Sequence, residues 1–191
     1  PVTAAIIGSV SATPTGGGGG TAIAGGAVAA STVPGTPGSI GGCGTSEGDF
    51  SLQGWVDDLR GAIDHLIAEA RPSGIWLVGT NTGGSIATCV GADDPRIRGA
   101  ALLSPRADFD DWAAQPRRFL EHAREIGAVR TPGFPASFED WARELRRFRP
   151  VDAARRFAPR PMLVMHGDDD ESVPPADARL KAMPPGGMCQ Y

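Results

Sequence analysis

Two short stretches of the sequence hold residue types that do chemistry. The first is Gly79-Thr80-Asn81-Thr82-Gly83, which follows the apolar run Ile75-Trp76-Leu77-Val78 and opens a helical stretch. Glycines in such a pentad permit a tight turn. The helix that starts there favours negative charge at its N-terminus, because its first amides have no intrahelical acceptor. At the apex stands Asn81, whose carboxamide has no readily removed proton and cannot become an attacking oxyanion. The second stretch is His166-Gly167-Asp168-Asp169-Asp170-Glu171-Ser172-Val173-Pro174, which ends another apolar run. Clustered carboxylates suit hard cations. The spacing is not that of a calcium loop, so the run reads as an acidic turn and no metal is assigned.

Other candidate groups have plainer readings. Ser46 lies in the literal Gly44-Thr45-Ser46-Glu47-Gly48, but no apolar run precedes it, and it reads as a loop serine. Thr80 and Thr82 flank the apex and read as structural, Thr82 as a helix cap. Ser104, before Pro105, reads as a strand terminator. His65 and His122 lie beside acidic neighbours and read as surface residues. His166 reads as loop framework; to act as a base it must face the cleft at Asn81. Trp112, Phe119, Phe134, Phe138, Trp141 and Phe148 either form a small core of their own or line an apolar pocket, the core being preferred.

The elements that position the two loops follow from periodicity. Leu52, Trp55, Val56, Leu59, Ile63, Leu66 and Ile67 recur at steps of mostly three and four, which predicts a helix over 51–70 capped by Ser51. Residues 75–78, 99–104 and 161–166 are short apolar runs, read as buried strands. Residues 85–90 continue a helix, with Cys89 as a buried thiol. Helices are predicted over 109–126, with a break or kink at Pro116, and over 137–147, 151–157 and 176–182. Such alternation implies a parallel sheet with helices on both faces. Ligands bind such sheets at the carboxyl ends of the strands, where both loops lie.

Composition sets the outer limits. The chain has 191 residues, 41% hydrophobic and 21% charged, with a formal net charge of −4. That excludes a basic nucleic-acid surface. No apolar run is long enough to span a membrane. The three cysteines form neither a disulfide framework nor a zinc pattern, and a cytoplasmic location is the default. No cofactor is implied. No charged residue precedes Glu47, and Gly16 to Gly20 are consecutive glycines. Residues 1–44 are therefore expected to be mostly disordered, with a short strand near 3–7. The core is placed at 45–182, a helical insertion at about 105–150, and a tail at 183–191.

The ordered set of motifs over about 42–182 resembles a bacterial α/β-hydrolase of the esterase and serine-peptidase type. In that family the pentad is the nucleophile elbow, Gly-x-Ser-x-Gly. The resemblance implies a partial α/β-hydrolase parallel sheet flanked by helices, with a helical cap insertion. It places Asn81 at the nucleophile position, the Thr82 amide in the oxyanion hole, Gly79 and Gly83 as elbow glycines, and Asp170 as the acid. It resembles the family at Gly44 to Gly48 as well. The departures are three: asparagine replaces serine, no histidine follows His166, and no oxyanion-loop pattern precedes residue 42.

Four readings follow. The first is a degenerate or truncated hydrolase relative with little or no triad catalysis, which keeps a pocket for a small apolar or acyl ligand. The second is an active hydrolase in which Asn81 and the Thr82 amide polarise a carbonyl and water attacks, with Asp170 or His166 as base. The third is a non-catalytic interaction module using the Arg- and Trp-rich cap. The fourth is a fragment or an altered reading frame, which predicts missing early strands and an exposed sheet edge.

Overall fold

The computed structural model describes residues 2–10, 25–30, 38–43 and 46–177. In these residues six strands form one sheet in the order β3-β2-β1-β4-β5-β6. They are β1 Val2–Val10, β2 Gly25–Ala30, β3 Gly38–Ser39, β4 Gly74–Thr80, β5 Ile97–Leu103 and β6 Met162–Met165. β1, β4, β5 and β6 run parallel, and β2 is antiparallel to β1 and β3.

The segment before residue 45, expected to be mostly disordered, supplies β1, β2 and β3 at its described residues. β1 contains the expected strand near 3–7 and pairs along β4 from Val2↔Gly74 to Ile7↔Gly79. β4 is therefore not an exposed edge. Composition judged this segment alone, whereas pairing with a buried strand offsets backbone entropy that it cannot offset by itself. The Gly16 to Gly20 run, Gly44, Thr45 and residues 178–191 with Cys189 lie outside the described residues. So do most of the helix expected at 176–182 and the 183–191 tail.

Helix α1, Leu52–Ala70, buries the apolar stripe that periodicity marks. Ser51 caps it, its Oγ accepting from the Gly54 amide at 2.9 Å. Helix α2, Asn81–Asp93, is longer than the expected 85–90 at both ends, running from the pentad to Asp93. Cys89, expected to be buried, is half-buried. The predicted helix over 109–126 is split into α3, Asp110–Ala114, and α4, Pro116–Glu125, the break falling at Pro116. α5, Phe138–Arg147, and α6, Pro150–Phe157, follow.

One apolar cluster joins α1, α2, the β4 and β5 residues Ile75, Leu77, Ala100 and Leu102, and the aromatics of the insertion. Helices were expected on both faces of the sheet; the core in the described residues lies on one. The parallel register puts Val78, Ala101, Leu103, Leu163 and Met165 on the other face, where Leu103, Leu163 and Met165 are 36%, 40% and 46% exposed. Arg160 fastens the far end of α2. Its guanidinium donates to the carbonyls of Gly91, Ala92, Asp94 and Ile97, which closes the helix C-terminus.

Candidate functional site

The pentad forms the turn from β4 into α2. Thr80 is the N-cap residue, and its side chain makes no cap hydrogen bond. Asn81 has φ +48, a left-handed conformation that non-glycine residues rarely adopt, and it is half-buried. The tightness has a visible cause. A Cβ on Gly79 would lie 2.6 Å from the Gly84 Cα and 2.7 Å from the Gly83 carbonyl oxygen, so strand and helix meet here through glycine alone. Thr82 is buried. Its hydroxyl, expected to cap the helix, instead donates to Asn81 Oδ1 at 3.2 Å. That bond engages the carboxamide oxygen. The second turn of α2 is tied down by Ser85, whose Oγ donates to the Arg106 carbonyl at 2.8 Å.

The register of β4 and β5 pairs Thr80 with Leu103, which puts Ser104 beside Asn81. Ser104 also has positive φ, +44, and its amide donates to the Met165 carbonyl at 2.8 Å. Sequence reading took it for a simple terminator; the strain at an X-Pro step carries no sequence signal. Asp170 follows β6 at the same edge. Its Oδ1 accepts from the amides of Ser172 and Val173, each at 2.9 Å. Burial pushes its carboxyl up, but the Val173 amide, the Ser104 hydroxyl, the Ser172 amide and the nearby His166 together hold it below the usual carboxylate range. The sheet thus brings Asn81, Ser104 and Asp170 to the ends of three adjacent strands.

Of the histidines and the loop serine, His166 alone touches Asp170. The His166 side chain is 5% exposed; its Nε2 lies 2.9 Å from the Val173 carbonyl oxygen and 3.5 Å from Asp170 Oδ2. It is built into the acidic turn. His65 is exposed, and His122 is half-buried against Glu125. Ser46 sits in the loop before α1 with its amide on the Cys43 carbonyl. Among the described residues, no three His, Cys, Asp or Glu side chains form a group that could hold a metal ion, and no helix is long and apolar enough to cross a membrane.

The insertion's aromatics are largely a core. Trp112, Phe119 and Trp141 are buried, with Trp112 stacked on Phe119 at 4.2 Å between ring centres. Phe134, Phe138 and Phe148 are packed against them, partly buried. Arg106, which sequence reading passed over, is 5% exposed, pairs with Asp111 and lies 4.9 Å over the Trp112 ring.

Est1E of Butyrivibrio proteoclasticus, in a structure with ferulic acid bound, superposes with a TM-score of 0.57 at 19% identity, over 79% of this chain and 63% of its own. This is the α/β-hydrolase fold. Rv0554 of Mycobacterium tuberculosis shares it, with a TM-score of 0.55 at 20% identity over 80% of this chain and 68% of its own. So does a lipase-esterase related protein from Clostridium acetobutylicum ATCC 824, at 0.55 and 17% over 80% and 71%. The chain spans about three fifths of the length of Est1E. No protein-family profile matches the sequence, and no curated protein matches it.

Proposed function

We propose that this chain is a hydrolase-derived protein, related to enzymes that cleave carboxylic esters or amides, with little or no triad catalysis. The observation that carries the reading is Asn81 at the strained apex of an otherwise intact elbow. The backbone that would present a nucleophile is kept, and the side chain it presents has no proton to give up. The base is the second gap. His166 is engaged inside the acidic turn. Asp170, held below the usual range, is a weak base at neutral pH, which speaks against water attack driven by that carboxylate. Loss of the nucleophile alone removes most of the rate that a triad supplies. On this reading Asn81 Nδ2 and the Thr82 amide hold a carbonyl oxygen without cleaving its bond, the ligand is a small acyl compound, and the protein works in the cytoplasm.

The test is hydrolysis of short-chain nitrophenyl esters by the purified protein, beside Asn81→Ala and Asp170→Ala. The expected result is a rate no higher than that of heat-denatured protein, from a chain whose circular dichroism is that of a folded α/β protein. Turnover that falls in both variants overturns the reading.

A further inference from the structure

The sheet ends at β6. Among the described residues β5 is its only neighbour, so one side of the strand carries no partner. The pairing fixes which backbone groups that side presents. The amides of Ala100 and Ser104 donate to the carbonyls of Pro161 and Met165, so the odd-numbered residues of β6 turn their backbone groups toward β5. Met162 and Val164 therefore point their N–H and C=O groups out at the free edge. Natural edges are guarded by charge, proline or a bulge. β6 reads Met-Leu-Val-Met, with no charged residue. Pro161 lies on the side that faces β5, so its missing amide leaves the free edge intact.

The side chains match that edge. An apolar row crosses the sheet through Val78, Ala101 and Leu163, in register on adjacent strands, and ends at the exposed Leu163. Leu103 and Met165 lie beside it on the same face and are exposed as well. On the opposite face Met162 and Val164 are half-buried against the core. A strand with outward groups at alternate residues is its own complement. Turned about a two-fold axis at Leu163, Met162 meets Val164 of a second copy, and each exchanges N–H and C=O with the other. Leu163 then stands opposite itself, and the apolar row runs unbroken from one sheet into the next.

We propose that β6 pairs antiparallel with β6 of a second copy of this chain, with the two-fold axis at Leu163, and joins two sheets into one. The strand is short, so the dimer is a reversible one that forms and dissociates with concentration. The pairing uses neither Asn81 nor Asp170 and stands whether or not the elbow turns over esters.

Sedimentation equilibrium of the whole chain across the micromolar range tests this. A dimer mass that falls to that of the monomer on dilution is expected. Leu163→Lys sets like charges opposite each other at the axis. It is expected to weaken association by about tenfold or more while circular dichroism stays native. Ile126→Lys, at an exposed apolar residue after α4, is expected to associate as the parent does. Mild oxidation reads the register. Leu163→Cys is expected to form a disulfide-linked dimer, since residues that face each other at a non-hydrogen-bonded site have Cα atoms about 4.5 Å apart. Met165→Cys lies opposite Pro161 and is expected to cross-link no more than the parent. A monomer at every concentration, the result if any other segment of the chain lies on this edge, overturns the proposal. So does a dimer that Leu163→Lys leaves intact or that Ile126→Lys weakens as much. A disulfide formed as readily by Met165→Cys as by Leu163→Cys overturns it too.

Discussion

The elbow and the acidic turn end neighbouring parts of one sheet, and they are held in opposite ways. The elbow is a backbone device. Gly79 and Gly84 bring strand and helix into contact, and the left-handed apex at Asn81 is what that contact demands. The acidic turn is a side-chain device: the Asp170 carboxylate gathers the Ser172 and Val173 amides and faces His166 and Ser104. Geometry written in glycines survives a change of the apex residue. Geometry written in one carboxylate does not survive its removal. This is why the turn's form does not depend on which side chain stands at residue 81.

The comparison is broken most severely at Gly79. Gly79→Ala drives a Cβ into backbone atoms that cannot rotate away, and a loss of about 3 kcal/mol is expected, read as a fall in thermal midpoint. An unchanged midpoint means the turn is looser than these contacts. Asp170→Ala comes next. It leaves two amides without their acceptor, for an expected loss of about 1–3 kcal/mol in urea unfolding.

The same carboxylate sets a pH dependence. Its folded value lies below the unfolded one, so its contribution is full above the unfolded carboxyl's value of about 4 and is lost as pH falls through the folded value. Asp170→Asn is expected to flatten that acid limb of stability against pH; an identical limb in parent and variant rules out the assignment. At the apex the effects are small. Asn81→Gly relieves the positive φ and is expected to be stabilising by about 0.5 kcal/mol, since asparagine already tolerates that conformation. Asn81→Ser restores a hydroxyl without a base and is expected to leave ester hydrolysis at background. A rise well above background places a base within reach of residue 81.

Much of this was legible in the sequence because it is local. The stripe from Leu52 to Leu66, the Ser51 cap, and the stop at Pro116 each follow from residues within a few positions of one another. The two loops were legible as well, since each follows an apolar strand that ends at a fixed place. What misled was reading a segment by itself. Residues 1–44 look unable to order alone, yet β1 lies in register on β4. Thr82 looks like a cap, yet its hydroxyl has a nearer acceptor in Asn81.

The sequence alone determined the helices and strands from Ser51 onward, and that the carboxamide of Asn81 is no nucleophile, because periodicity, punctuation and functional-group chemistry need no distant partner. Only the tertiary structure decided that the Ser104 hydroxyl reaches Asp170, and that Glu144 closes the start of α1 from 91 residues away. These depend on which strand ends and helix faces come together, and that is settled by burial of the whole core rather than by any short run of residues.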